Sequence, residues 1–284
     1  MASSDAIDRL HPADLADAEA LVREAGWNQN ALDWRIFMDR GTTYAVRDAG
    51  RVIATAATLP YGQFAWVSMV LVAGQHRRRG LGTRLLRRAI DDLTAAGVVP
   101  VLDATPAGRE LYLTLGFEDA WGLHRLTCSR WQRTDTPAPA GTDIRPIGDA
   151  VWPKLCAYDA AAFGADRSGV LARLRGRLPP AELVAERDGR ITGFALGRDG
   201  RTHAEVGPLV AEDDATARAL LARALNALDA PIYIDLTDTK ADIRSWLEAH
   251  GFAPQRPYTR MLLGRDKAFD DPRRTYALAG PELG

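Results

Sequence analysis

The run Arg77-Arg78-Arg79-Gly80-Leu81-Gly82-Thr83 sets three guanidinium groups and two residues without a Cβ where an apolar, strand-like segment, Val70-Leu71-Val72-Ala73, gives way to Arg84-Leu85-Leu86-Arg87-Arg88. Leu85, Leu86, Ala89, Ile90 and Leu93 recur at the spacing of one helix face, and Gly97 stands where that helix would stop. The predicted unit is strand, basic glycine loop, helix. The first N–H groups of a helix have no internal acceptor and sit at the positive end of its dipole, so they cradle a phosphate. Gly80 and Gly82 let the backbone come close, and the arginines add charge-assisted hydrogen bonds. A nucleotide P-loop would need Gly-Lys-Ser/Thr, whereas Gly82 is followed by Thr83-Arg84. A dinucleotide turn would need a third glycine, although Asp103 could stand in for its ribose-binding acid. The chemistry left is pyrophosphate binding.

A second motif follows. Val98-Val99-Pro100-Val101-Leu102-Asp103 reads as a strand, and Arg109-Glu110-Leu111-Tyr112-Leu113-Thr114-Leu115-Gly116-Phe117 as a helix closing on glycine. An Arg-x-x-Gly-x-Gly loop followed by Tyr-x-x-x-Gly-Phe resembles the GNAT N-acetyltransferase superfamily. The resemblance implies an α+β fold whose mixed, mainly antiparallel twisted sheet is flanked by helices, and acetyl-CoA as cofactor. It also implies roles. Arg77, Arg78, Arg79, Gly80, Leu81, Gly82 and Thr83 would hold the pyrophosphate, and backbone N–H groups at Val70, Leu71 and Val72 the acetyl carbonyl. Tyr112 would face the cofactor sulfur as general acid. Thr105 stands where the family often has a pantetheine-binding asparagine. Pro100 would be tolerated because this strand splays from its neighbour to admit the pantetheine arm, and Tyr61 would border the acceptor pocket. For a general base the central strand offers only Ser68, so Asp103, Glu118, His124 and ordered water stand as alternatives. No metal is implied.

Composition narrows the partners. The 284 residues carry a formal net charge of -1, so the arginines are local and a nucleic-acid partner is not expected. Cys128 and Cys156 form neither a metal-ligand spacing nor a disulfide framework, which suits a cytoplasmic protein. No apolar run is long enough to span a bilayer, and Met1-Ala2-Ser3-Ser4-Asp5 is not a signal peptide. A monomer or a homodimer is expected.

The chain repeats itself. Leu71-Val72-Ala73 is echoed by Leu209-Val210-Ala211, and Leu115-Gly116-Phe117 by His250-Gly251-Phe252; Arg125 lies nine residues after Gly116, and Arg260 nine after Gly251. Hairpins are predicted at Ala49-Gly50 and Asp188-Gly189. Ahead of the first, a helix after Pro12 presents Leu15, Ala18, Leu21, Val22 and Ala25, and a second surrounds Trp34, which with Trp27 and Trp66 is assigned to the core. Thr134 to Thr142, rich in proline and small residues, reads as a linker. The expected organisation is two tandem GNAT domains, a catalytic one over 1–133 and a degenerate one over 143–284, with 134–142 between them.

Asp159-Ala160-Ala161-Ala162-Phe163-Gly164-Ala165-Asp166-Arg167 resembles the degenerate module of bacterial tandem acetyltransferases. That module is expected to supply part of the substrate pocket, with Asp159, Glu205 or Asp235 offered to an ammonium and Phe163, Asp166 and Arg167 as substrate-recognition residues facing the first domain. Alternatively Asp166 caps the next helix and Arg167 pairs on its surface. Aligning the repeats sets Asp213 to Leu220 opposite Gln75 to Gly82, so both glycines are lost, and Leu247 replaces Tyr112. The closing stretch, Tyr276 to Gly284, is apolar enough to dock. The function implied is N-acetyl transfer to a primary amine of a small molecule such as an amino sugar, polyamine or amino-acid derivative. A noncatalytic acyl-CoA sensor and a protein-lysine acetyltransferase are the alternatives.

Overall fold

A computed structural model describes residues 6–229 and 231–284; the opening pentapeptide lies outside the described residues. The chain packs as two compact units, Met1–Leu102 and Asp103–Gly284. In the first, β1 (Ile7–Asp8) precedes a 3₁₀ turn at Pro12–Asp14, α1 (Leu15–Glu24) and α2 (Ala31–Arg40). Then come β2 (Thr42–Asp48), β3 (Arg51–Tyr61), β4 (Phe64–Val72), α3 (Leu81–Ala95) and β5 (Val99–Ala104), which crosses into the second unit. The strands lie in the order of the chain, antiparallel except for β4 with β5.

Local chemistry accounts for these elements. Asn30 caps α2 by accepting from the N–H groups of Leu32 and Asp33. The β2–β3 hairpin turns at Ala49 and Gly50, both left-handed, as its two-residue turn requires. Helix α3 buries Leu85, Leu86, Ala89, Ile90 and Leu93, the face read from the sequence, together with Leu81 of the motif, and packs on β3 and β4. Trp34 and Trp66 are core residues, and Trp27 is half-buried.

Strand β4 holds a feature that its sequence hid. Met69 takes a left-handed φ of 54°, and the β3 register slips between Thr55, opposite Leu71, and Ala57, opposite Ser68. The bulge is pinned by the Thr55 hydroxyl, which donates to the Met69 carbonyl at 2.9 Å. The parallel ladder to β5 spans only Phe64–Trp66 against Val99–Val101. Pro100 is tolerated for a reason other than the predicted splay. Val99 donates to the Gln63 carbonyl at 2.9 Å, so alternation turns the Pro100 nitrogen to the opposite edge of β5.

The second unit continues with α4 (Pro106–Thr114), β6 (Phe117–Cys128), β7 (Thr142–Pro146), α5 (Trp152–Phe163) and α6 (Ser168–Leu174). It closes with β8 (Leu183–Arg187), β9 (Arg190–Arg198), β10 (Ala204–Ala211), α7 (Asp214–Asn226), β11 (Ile232–Thr237), α8 (Ala241–Ala249), β12 (Ala253–Leu263) and β13 (Thr275–Ala277). Its strands run β12-β6-β11-β13-β10-β9-β8-β7. The β8–β9 hairpin turns at left-handed Asp188 and Gly189, the counterpart of Ala49-Gly50. The β10 register slips at Gly207-Pro208, the counterpart of Met69-Val70. Residues 129–141 form neither helix nor strand; Asn226 accepts from the Trp131 indole and the Thr134 N–H and donates back to the Thr134 carbonyl.

The last strands of the two repeats change places. Strand β6, at the end of the first repeat, lies between β11 and β12 of the second. Two buried arginines record the exchange. Arg125 of β6 makes a bidentate pair with Asp235 of β11 at 2.8 and 2.7 Å, and Arg260 of β12 makes one with Asp103 of β5 at 2.9 and 2.9 Å. The matched spacing of these arginines after Gly116 and Gly251 thus carries a reciprocal ion pair.

Candidate active site

The phosphate turn opens after Val72, with a 3₁₀ turn over Gly74–His76. Glu24 on α1 fastens it, accepting from the Gly74 N–H at 2.5 Å and lying 3.8 Å from the Arg77 guanidinium. A Cβ on Gly74 would strike that carboxylate. Arg77 donates to the Val72 carbonyl at 3.1 Å, and Arg79 lies 2.9 Å from the His76 ring nitrogen Nδ1. Arg78 is left-handed, and all three guanidiniums reach solvent.

The two motif glycines do different work. Gly80 is the N-cap of α3 at φ 75°, ψ 3°, a conformation that favours glycine, and a Cβ there would meet nothing within 4 Å. Gly82 has no such constraint. Its missing Cβ faces β4, 3.4 Å from Val72 and 3.8 Å from Val70, so it brings the helix start against the strand end. No side chain caps α3, and the first backbone bond back to Gly80 comes from Arg84. The N–H groups of Leu81, Gly82 and Thr83 are therefore presented outward, as a pyrophosphate requires. Beside them, Ala73 donates to the Ile53 carbonyl of β3, so alternation turns the Leu71 N–H toward β3 and those of Val70 and Val72 toward the edge where the β5 ladder has ended. These residues fit a bound coenzyme A.

In the second unit, Tyr112 lies on the last turn of α4, its ring 5.8 Å from that of Phe117. Gly108 sits beneath it; a Cβ there would approach the Tyr112 ring to 3.0 Å and the Thr105 hydroxyl to 3.3 Å. Burial pushes the Tyr112 phenol above its ordinary pKa, so it stays protonated and suits an acid. Thr105 caps α4, accepting from the Gly108 N–H at 3.2 Å, so its oxygen has a structural partner. The base candidates are differently placed. Asp103 is enclosed against Arg260, Glu118 is exposed, and the His124 ring lies 2.5 Å from Asp238.

Of the four acids assigned to a substrate, Asp235, Glu205 and Asp159 are held by buried arginines, and Asp166 is exposed. Asp235 holds Arg125; Glu205 accepts from Arg125 at 3.2 Å and from Arg198 at 3.0 Å. Asp159 is fully buried in a bidentate pair with Arg167 at 2.9 Å, and Arg167 stacks on Phe163, 4.0 Å from its centroid. Asp166 accepts from the Ser168 N–H at 2.8 Å at the start of α6. Tyr61 is packed at the β3–β4 hairpin, 5.8 Å from Phe64 and 6.0 Å from Trp66, at the far end of β4 from the phosphate turn.

The cradle has no counterpart in the second repeat, though not by the substitutions that the sequence alignment implied. Only Glu212 and Asp213 separate β10 from α7, where Ala73 to Gly80 separate β4 from α3. The loop is deleted, and Arg218 and Leu220 fall inside the helix. Asp213 caps α7 itself, accepting from the Thr216 N–H at 2.7 Å. Leu247, at the position of the tyrosine, is core. The β4 bulge, the Glu24 brace and the Gly108 seat had no local signal in the sequence beyond the glycine itself.

Comparisons with known proteins agree with this architecture. The profile of the Acetyltransferase (GNAT) family matches residues 9–117, and that of an Acetyltransferase (GNAT) domain matches residues 155–277. The chain is similar to an uncharacterized N-acetyltransferase of Bacillus subtilis, YitH, at 24% identity over 282 residues, 99% of each chain. It is also similar to an uncharacterized N-acetyltransferase of Streptomyces avermitilis, at 28% identity over 81% of this chain and 64% of the relative. A putative acetyltransferase from Pyrococcus horikoshii shares the fold with a TM-score of 0.78 at 20% identity, over 100% of this chain and 98% of its own. A tandem GNAT protein from the clavulanic acid biosynthesis pathway shares it with a TM-score of 0.64 at 15% identity, over 90% and 97%. No described helix is long and apolar enough to cross a membrane. With one GNAT match on each repeat and N-acetyltransferase relatives along its length, the chain belongs to the GNAT family and is an N-acetyltransferase built from two GNAT repeats.

Proposed function

We propose that the protein uses acetyl-CoA to acetylate a primary amine of a small molecule by direct transfer, and that each chain binds one cofactor, in its first repeat. The observation that carries this reading is the contrast between two helix starts. That of α3 is uncapped, entered through left-handed Gly80 and rimmed by arginines, whereas that of α7 is closed by the Asp213 carboxylate. An anion is drawn to the first and repelled by the second.

When bound, acetyl-CoA supplies an acetyl group activated as a thioester. The N–H groups of Leu81, Gly82 and Thr83 bind phosphate oxygens, while Arg77, Arg78 and Arg79 neutralise their charge. The outward N–H groups of Val70 and Val72 stabilise negative charge developing on the acetyl oxygen. The Tyr112 phenol, kept protonated by burial, gives up its proton as sulfur leaves. Asp103 is committed to Arg260, so the amine is deprotonated through ordered water.

Thiol release from acetyl-CoA across a panel of amino sugars, polyamines, amino-acid derivatives and lysine peptides tests the reading. Turnover on a small amine supports it, and binding without turnover on any amine overturns it in favour of a sensor. Tyr112→Phe lowers turnover by roughly 10²- to 10⁴-fold with cofactor affinity retained. An unimpaired rate where chemistry limits turnover removes Tyr112 from the mechanism.

A further inference from the structure

Each repeat contains two neighbouring parallel strands that part company. Strands β4 and β5 separate after Trp66 and Val101; β10 and β11 pair at Ala204–Ile232 and Glu205–Tyr233 and then separate. In the second repeat the opening is filled by the chain itself. Strand β13 lies antiparallel to both walls, with Ala277 opposite Leu209 on one side and Leu236 on the other.

The segment is held along its whole length. At its start the Tyr276 hydroxyl donates to Asp214, the first residue of α7, at 2.6 Å, and the Lys240 ammonium lies 3.9 Å from the Tyr276 ring centroid. At its entry Ala211 also donates to the carbonyl of the preceding Arg274 at 3.0 Å and the Thr237 hydroxyl to the Thr275 carbonyl at 3.2 Å, and in the middle Leu278 donates to the Asp235 carbonyl at 3.0 Å. Gly207, on the bulge of β10, makes room: a Cβ there would collide with the Leu278 carbonyl. At its end Glu282 pairs with Arg198, and the Gly284 main-chain oxygen accepts from Arg167 at 2.5 Å. Tyr276, Ala277, Leu278, Ala279 and Leu283 are all at most 2% exposed.

We infer that the second repeat keeps a ligand slot for an extended, amide-bearing chain, and that residues 275–284 are its resident ligand. The path runs from the start of the helix that follows β10, between the parted strands, to a buried cluster of arginines and carboxylates. An extended peptide suits such a slot because its amides pair with strand edges on both sides. The likeness of this path to that of the cofactor's pantetheine arm in the first repeat rests on the proposed function; occupancy of the slot does not. While the segment is in place, the slot is closed to acyl-CoA.

Hydrogen exchange on the full chain, read by mass spectrometry without and with saturating acetyl-CoA, tests the inference. Amides of 275–284 exchange slowly in both states, and cofactor adds protection only around 70–84. Gly207→Ala, which forces a Cβ against Leu278, and Glu282→Gln, which removes the charge facing Arg198, each accelerate exchange of 275–284 at least tenfold while the β2–β3 hairpin keeps its protection. Fast exchange of 275–284 in the unaltered chain overturns the inference. So does its deprotection by acetyl-CoA with two cofactors bound per chain. A chain that binds no acetyl-CoA yet protects 275–284 refutes the proposed function and leaves the slot standing.

Discussion

Alanine at Gly80 and alanine at Gly82 should move stability in opposite directions, although the two glycines stand two residues apart in one motif. At Gly80 the backbone is left-handed, which costs an L-residue about 1–2 kcal/mol. The lower entropy of the unfolded alanine chain returns about 0.4–1 kcal/mol, so the net loss is near 1 kcal/mol. At Gly82 the backbone is helical and a new Cβ would sit 3.4 Å from Val72, in ordinary contact. Glycine disfavours a helix by about 0.5–1 kcal/mol relative to alanine, so Gly82→Ala should gain up to that amount. For a protein of this size each kcal/mol moves the melting temperature by roughly 2–4 °C. Thermal unfolding followed by circular dichroism should show Gly80→Ala melting a few degrees lower and Gly82→Ala level or higher. Gly82→Leu, too large for the gap to Val70 and Val72, should melt lower and lose cofactor affinity in calorimetry as α3 is pushed from β4. If both alanine variants shift the same way, the assignment of conformational strain to one glycine and close packing to the other fails.

Arg260→Met leaves Asp103 and Asp270 buried without their shared guanidinium and should cost about 3–5 kcal/mol in urea unfolding, with part regained on adding Asp103→Asn; a loss below 1 kcal/mol would show that water reaches the pair. Around Arg125 and Arg198, three buried carboxylates, Glu205, Asp235 and Glu282, face two guanidiniums, and burial pushes Asp235 up to about 7 against the pull of Arg125. Folding therefore takes up a proton between the unfolded value of 3.8 and pH 7, so this contribution is complete below the first and gone above the second. The unaltered chain should lose stability relative to Asp235→Asn as pH rises across that window, and a flat difference would contradict the shift. Gly108→Ala should displace the Tyr112 ring or the Thr105 hydroxyl and lower kcat while cofactor affinity is kept; an unchanged kcat would mean that the ring has room to move.

The parts of this molecule that were legible in its sequence are those fixed by near neighbours. The α3 face and the turns at Ala49-Gly50 and Asp188-Gly189 each follow from residues within a few positions. So does the helix ending at Gly116, and the docking of the closing stretch followed from its apolar composition. Gly80 and Gly82, by contrast, read alike in the sequence, and only the backbone separates the left-handed one from the closely packed one. What escaped was set by distant partners. Arg125 and Arg260 were visible as equivalents, yet nothing near them announced Asp235 and Asp103, which lie 110 and 157 residues away in the chain. Asp159, Glu205 and Asp235 were offered to a substrate for their charge, and charge does not reveal which arginine already holds a carboxylate. The shortened turn before α7 was read as substitution because an alignment by motif cannot see a deletion without the helix start.

The exchange of β6 and β12 also governs the order in which the chain can fold. Strand β6 is complete by Cys128, yet both of its hydrogen-bonded neighbours belong to residues beyond 231. During synthesis that strand must wait, edges bare, until more than a hundred further residues have emerged, and pairings of such long sequence separation form slowly. A strand with both edges unpaired is an aggregation hazard while it waits. The exposed arginine-rich turn and the local β2–β3 hairpin can form early, so folding should proceed from a quickly organised N-terminal sheet to a late step that joins β6, β11 and β12. Cutting the chain in the 129–141 connection should then yield two fragments that reach a native state only in each other's company.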